Sequence, residues 1–302
     1  MAGSGDMSTS TSLFPVAPVG AASLRERLHV DGVVLAPGCF DGLSARVIEA
    51  SGHEAAFVGG FSMAAARLGL PDVGLLSYGE SVDQLRSVRA ATSLPIIADA
   101  DTGYGNPINA QRTLLTYAAA GAQCVMIEDQ AWPKRCGHTA GKQIVDRHEA
   151  VSRIRAAAEA RDIHGLDVLI MARTDANATD GFDEALWRVE AFAEAGADVT
   201  FLEAPESEEQ MARYCAETPG WKTANLVDDG KTPWLEPAAL TEMGYSVVLY
   251  PVALLLSAAH SMFARSDELR SGADSVAGRM TFDEVRAQVG WPDYEQIANR
   301  LA

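Results

Sequence analysis

Residues 119–128 read Ala119-Ala120-Gly121-Ala122-Gln123-Cys124-Val125-Met126-Ile127-Glu128: an alanine run that stops at a glycine and gives way to an unbroken apolar run ending in an acid. The glycine suits the left-handed cap of a helix C-terminus, and consecutive apolar residues without alternation suit a strand buried on both faces. The same order recurs at Glu194-Ala195-Gly196-Ala197 before Val199-Thr200-Phe201-Leu202-Glu203, at Met243-Gly244 before Val247-Val248-Leu249-Tyr250, and at Ser51-Gly52 before Ala55-Ala56-Phe57-Val58. Working outward, strands are predicted near Val33–Ala36, Ala55–Gly59, Pro95–Asp99, Cys124–Glu128, Val168–Arg173, Val199–Glu203, Thr223–Leu226 and Val247–Tyr250. Helical stretches such as Ala110–Ala120, His148–Arg161 and Phe182–Ala195 separate them.

Eight strand-then-helix units in roughly 235 residues predict an α/β fold, a (β/α)8 TIM-type barrel, over residues 23–265. A doubly wound open sheet is the alternative, weakened because no GxGxxG or GxxxxGK[ST] follows any strand. Residues 1–22 read as a flexible Ser/Gly/Ala/Pro-rich tail, with Met7 a candidate native start. Residues 266–302 read as a charged C-terminal helical extension, in which Thr281-Phe282-Asp283-Glu284 resembles a capping box. It is expected to pack outside the barrel or on a partner subunit.

The 302 residues carry 24 basic and 41 acidic side chains, a net charge of −17, which opposes nucleic acid and anionic membrane partners. With 48% hydrophobic and 22% charged residues, a large core is expected rather than disorder. Cys39, Cys124, Cys136 and Cys215 are scattered without metal-ligand or disulfide spacing, so a reducing cytoplasm is the expected location. The longest apolar run, Val247–Ala259, is broken by Tyr250 and Pro251 and is shorter than the ~20 residues of a spanning helix.

In a barrel of this kind, function gathers where strands end. Those ends are acidic: Asp99 and Asp101 after strand three, Glu128-Asp129 after strand four, Arg173-Thr174-Asp175 after strand five, Glu203 after strand six. Carboxylates crowded on one rim repel unless a cation neutralises them, and oxygen ligands without a His or Cys cluster favour Mg2+, with Mn2+ as the substitute. The plainer alternative is that Asp99 and Asp101 cap a helix or bind loop amides.

The loop after strand four, Trp132-Pro133-Lys134-Arg135-Cys136-Gly137-His138-Thr139-Ala140-Gly141-Lys142, sets a cysteine among Lys134, Arg135 and His138. That electropositive setting is expected to favour proton exchange at the thiol, with Gly137 and Gly141 as lid hinges. Trp132 and Trp234 are candidate lining residues, Asp41 a candidate helix cap or pocket floor, and Glu206-Ser207-Glu208-Glu209 a helix start.

The segments Asp99-Ala100-Asp101-Thr102-Gly103-Tyr104-Gly105, Glu128-Asp129-Gln130, Pro133-Lys134-Arg135-Cys136-Gly137-His138, Ala172-Arg173-Thr174-Asp175-Ala176 and Glu203-Ala204 resemble the isocitrate lyase and phosphoenolpyruvate mutase superfamily, from about Leu24 to Arg265. The Lys-Arg-Cys-Gly-His string resembles its carbon–carbon lyases most, the group of 2-methylisocitrate lyase, 2,3-dimethylmalate lyase and petal death protein, and also its carboxyphosphoenolpyruvate mutases. The resemblance implies Mg2+ held by Asp99 directly or through water, with Asp72, Asp101 and Glu128 completing the shell and Asp101 also near substrate. It implies that Arg173 grips a substrate carboxylate and that Glu203, Asn225, Gly60 and Phe61 line the pocket. Lys134, Cys136 and His138 would arrive with the loop.

The implied reaction cleaves a substituted 2-hydroxy di- or tricarboxylate, a small-molecule substrate, to an α-keto acid such as pyruvate plus a dicarboxylate, with Cys136 as acid. A homotetramer, its C-terminal helices exchanged between subunits, is also implied. The alternatives are a phosphonomutase forming a carbon–phosphorus bond and a catalytically silent binding scaffold. Departures from the family pattern are Gly59, where relatives carry Ser or Thr, and Leu226-Val227-Asp228-Asp229-Gly230, where they carry Met-x-Glu-Gly-Gly. Pro251 stands where oxaloacetate-hydrolysing relatives carry a serine, which argues against hydrolysis.

Overall fold

The computed structural model describes residues 12–17, 21–137, 139, 141–272 and 278–302. Eight parallel strands close into a barrel in chain order: β1 Val34–Cys39, β2 Ala56–Val58, β3 Ile96–Asp99, β4 Cys124–Glu128, β5 Leu169–Thr174, β6 Val199–Leu202, β7 Trp221–Asn225 and β8 Val247–Tyr250, with β8 pairing β1. All eight overlap the apolar runs that predicted them, β1 running three residues past its expected end and β7 starting two residues early, and the open-sheet alternative falls because both edges are paired.

Burial explains why runs rather than alternation mark these strands. Phe57, Ile97, Met126, Met171, Phe201 and Leu249 turn inward into one apolar cluster, while Val58, Ile96, Val125 and Ile170 face the surrounding helices in another. Leu24 and Leu28 of helix α1 (Leu24–Leu28), capped by Ser23 and Glu26, join the inner cluster and plug the N-terminal end. The other barrel helices follow: α2 Gly42–Ala50, α3 Gly60–Met63, α4 Tyr78–Arg89, α5 Pro107–Ala119, α6 Arg147–Ile163, α7 Phe182–Glu194, α8 Glu208–Glu217 and α9 Pro237–Met243.

Asp41 caps α2 in a reciprocal box with Ser44, and Ser207 caps α8, so both are helix starts. Between β2 and α4 the chain runs through α3 and a π-turn at Ala64–Leu68 that ends at Gly69. This detour carries Gly60, Phe61 and Asp72 to the C-terminal mouth, and such widened turns often sit beside functional sites.

Helix α10, Ala253–Ser271, passes unbroken through position 265, so the expected division between barrel and extension lies inside one helix. None of its residues is buried; Leu256, Met262, Phe263 and Leu269 are exposed. Helices α11 (Phe282–Gln288, capped by the expected Thr281–Glu284 box) and α12 (Trp291–Leu301) return to the barrel. Gln288 donates to the Arg46 carbonyl, and Asp293 accepts from the Leu13 amide. Most of the N-terminal tail, Met7 included, lies outside the described residues. No described helix is long and apolar enough to cross a membrane.

Candidate active site

At the C-terminal mouth a cavity of about 300 Å³ brings together Gly60, Phe61, Asp72, Asp99, Glu128, Lys134, Cys136, Arg173, Glu203 and Asn225, drawn from the ends of six strands and the loops beyond them. Asp101 stands behind that lining and reaches the same charges through Lys134. His138 lies outside the described residues.

The acidic pole is built from the backbone upward. Both Asp99 oxygens accept backbone amides, from Gly60 at 2.9 Å and from Asp101 at 2.9 Å, which is the loop-amide role open to a strand-end aspartate. Asn106, not an aspartate, caps α5. Asp101 has φ 48°, a left-handed turn that directs the chain back toward the rim. Lys134 Nζ sits between Asp72 Oδ1 at 2.5 Å and Asp101 Oδ1 at 2.7 Å, nearly inaccessible.

Burial would lower the Lys134 ammonium, but Asp101, Asp72, Asp99 and Glu128 together lift it well above the ordinary lysine value. The ammonium is shared among four acids, of which Glu128 also meets Arg173 at 3.4 Å. Burial pushes Asp101 up to about 6, Lys134 opposing it and Asp99 and Asp72 adding to it. Burial likewise raises Glu128 well above the carboxylate range, against the pull of Arg173.

Glu128 Oε1 is buried without a hydrogen bond, and a Cβ on residue 60 would lie 3.0 Å from Asp99 Oδ2. An oxygen-only donor set of four acids, one orphaned acceptor at Glu128 and a glycine-lined gap fits a hard divalent cation. Among the described residues no group of three ligands is already arranged at metal-binding geometry; the Lys134 ammonium is the cation in their midst.

A second cluster of charge centres on Arg173. Its Nε donates to Asp175 Oδ2 at 3.0 Å and its Nη2 to Asp175 Oδ1 at 3.1 Å, while Glu128 stands 3.4 Å and Glu203 3.7 Å away. Register places Glu128 directly beside Arg173 across β4 and β5. Burial opposes the guanidinium charge, but Asp175, Glu203 and Glu128 hold it well above its ordinary value. Asn225 Nδ2 donates to Glu203 at 3.3 and 3.4 Å.

The loop after β4 lies across this cluster. A Cβ on residue 137 would fall 2.3 Å from Glu203 Oε1 and 2.4 Å from an Arg173 nitrogen, so the glycine is needed for close approach; its φ is not left-handed, whereas Gly141 at φ 77° carries the turn. Cys136 is half-buried at the cavity wall, its carbonyl accepting from Thr139 N at 2.9 Å and Oγ1 at 2.7 Å. Lys134, expected to electrify the thiol, is instead engaged by the acids.

Phe57, Val227, Leu249, Pro251, Val252 and Leu256 make an apolar wall. Trp132 and Trp234 do not line the cavity: both are 52% exposed, the first lying over Gly74 and the second beside Tyr250. Asp229, at a position that is glycine in the family pattern, has φ 55°, and Asp228 Oδ2 is buried at the wall without a hydrogen bond.

Lys142, Asp175, Asp129 and Arg188 were not singled out as site residues. Asp129 Oδ1 accepts the Asp175 amide at 3.0 Å, and its Oδ2 accepts Thr174 Oγ1 at 2.6 Å and Arg188 at 3.0 Å. The acids were visible as strand ends, but no spacing signals partners as far apart as Lys142 and Asp175.

The sequence profile of the phosphoenolpyruvate phosphomutase family matches residues 24–270. The chain is 41% identical to 2,3-dimethylmalate lyase of Eubacterium barkeri, over 93% of this chain and 98% of that one. It is 38% identical to the chloroplastic carboxyvinyl-carboxyphosphonate phosphorylmutase of Arabidopsis thaliana, over 93% and 86%. Its fold superposes on the structure of an oxaloacetate acetylhydrolase with a TM-score of 0.88 at 32% identity, covering 92% of this chain and 95% of that chain.

Proposed function

The chain belongs to the phosphoenolpyruvate phosphomutase family, and on that premise we propose that it is a carbon–carbon lyase cleaving a substituted 2-hydroxy di- or tricarboxylate of the 2,3-dimethylmalate or 2-methylisocitrate type. The observation that carries this reading is a single small cavity lined by clustered acids, a buried guanidinium beside them, a half-buried cysteine and an apolar wall. A charged ligand with two or more carboxylates and an alkyl substituent matches that division.

Asp72, Asp99, Asp101 and Glu128 would hold Mg2+, or Mn2+ in its place, and a bound divalent ion supplies positive charge that makes the substrate's 2-hydroxyl a stronger acid. Arg173 presents a planar fork to a substrate carboxylate, a match that a point charge lacks. Once the hydroxyl proton has left, the C2–C3 electron pair passes to C3, C2 becomes the carbonyl of an α-keto acid, and an enolate-like fragment remains. Cys136 Sγ delivers the proton that C3 needs, and the apposed loop backbone excludes water. Carboxylate counting sets the second product: a tricarboxylate leaves a dicarboxylate, whereas a malate-type substrate leaves a monocarboxylate.

Pro251 at the apolar wall has no hydroxyl to offer, which favours cleavage over oxaloacetate hydrolysis. A homotetramer and a cytoplasmic location complete the proposal; the exposed apolar side chains of α10 support the first, since patches of this kind mark association surfaces.

The experiment is incubation with Mg2+ and a panel of substituted malates and isocitrates, read by keto-acid release, with phosphorus NMR on a phosphonate substrate in parallel. Keto acid from at least one hydroxy acid, lost in Cys136→Ser, is expected. A rearranged phosphonate without keto acid would replace the lyase with the mutase, and full keto-acid release by Cys136→Ser would remove Cys136 as the acid.

A further inference from the structure

Lys142 does not line the cavity, yet its side chain is 2% exposed and its ammonium has acceptors on two separate elements. It donates to the Gly137 carbonyl, one residue from the cavity thiol, and to Asp175 Oδ1 at 2.6 Å. The same Asp175 carboxylate takes both donors of the Arg173 fork. Asp175 is held in turn by its amide bond to Asp129, whose carboxylate Arg188 and Thr174 anchor. We infer that Lys142 is a positioning residue, setting the backbone that carries Cys136 and the Arg173 clamp in one relative geometry through Asp175. The inference rests on the lyase reading for its purpose, but not for its contacts.

The physical argument is one of shared acceptors. A buried ammonium cannot be satisfied by the Gly137 carbonyl or by Asp175 alone, so displacing the loop backbone leaves a buried donor short of a partner. Without Lys142, Asp175 Oδ1 belongs wholly to Arg173, and a substrate carboxylate must compete with a stronger internal partner for the same fork. The loop and the clamp are therefore coupled by one charge.

The test uses full-length Lys142→Met and Asp175→Asn, each checked for folding by thermal melt. It reads iodoacetamide alkylation of Cys136 by peptide mass, succinate affinity by calorimetry with Mg2+ present, and steady-state constants on the best hydroxy acid. In Lys142→Met, alkylation is expected to quicken about tenfold and succinate binding to weaken about tenfold, with kcat falling and KM rising together. Asp175→Asn is expected to quicken alkylation as well, and it decides the matter if Lys142→Met does not fold. Alkylation within twofold of the native rate in a folded variant would overturn the inference, as would faster alkylation with unchanged succinate affinity. If the native protein neither binds succinate nor turns over any hydroxy acid, the lyase reading fails and alkylation alone decides the positioning role.

Discussion

Gly137 and Glu203 stand in direct apposition: a methyl group on residue 137 would lie 2.3 Å from Glu203 Oε1, inside any permitted contact. The thiol loop and the strand-six acid are thus packed backbone against carboxylate. Gly137→Ala must lift the loop or turn Glu203 away from Asn225 and Arg173. The expected result is a loss of about 100-fold in kcat/KM, the scale of a displacement near one ångström, with little change in Tm. Steady-state kinetics beside a melting curve checks it; activity within threefold of native would show that this apposition does not matter to turnover.

Arg173 invites a change that conserves charge. Arg173→Lys keeps one positive charge but cannot serve both Asp175 oxygens and a substrate carboxylate with a planar fork. We expect KM to rise and kcat/KM to fall by at least about thirtyfold, corresponding to roughly 2 kcal/mol for a truncated buried charge pair. Unchanged KM would remove Arg173 from carboxylate binding.

Lys134 neutralises the acidic pole, so Lys134→Met leaves Asp72 and Asp101 buried without their ammonium partner. Losing one member of a buried pair costs about 3–5 kcal/mol, which for a chain of this size is a fall in Tm of about 5–8 °C. Millimolar Mg2+ should restore more of that loss in the variant than it adds to the native protein, because the ion replaces the missing charge. Equal Mg2+ shifts in both proteins, read by calorimetry, would mean that the acids do not hold the ion.

A pH dependence follows from Glu184. Hydrogen bonds from Arg147 and Arg188 hold its carboxyl below the ordinary glutamate value, against partial burial. The folded state therefore binds this proton less readily than the unfolded chain. The stabilisation is full above the unfolded value of about 4.3 and is lost as acid titrates through the lower folded value. Glu184→Gln should melt below native at neutral pH, and the gap should close below about pH 4. A constant gap down to pH 3.5 would refute the linkage.

The two aromatic candidates show where a local reading stops. Trp132 and Trp234 border the right loops in sequence, but one lies over Gly74 and the other beside Tyr250, and neither lines the cavity. A loop's sequence does not state which side of it turns inward. Phe57 and Leu249 were legible only as strand residues, because the barrel's inward alternation, not their neighbours, delivers them to the pocket wall. Gly137 was legible as a glycine but not for its reason: a hinge was expected, and a close approach is what the backbone shows.

The eight strand positions, the helical stretches between them, the Thr281–Glu284 capping box and the acidic strand ends were legible in the chain alone, since each rests on residues a few positions apart and on burial periodicity. The tertiary structure alone decided which cation meets which acid: Lys134 with Asp72 and Asp101, Arg173 with Asp175 and Glu203, Lys142 with Asp175 and Gly137. Coulombic pairing depends on distances of a few ångströms in a buried, low-dielectric space. Barrel closure and the path of one loop set those distances, and no spacing along the chain encodes them.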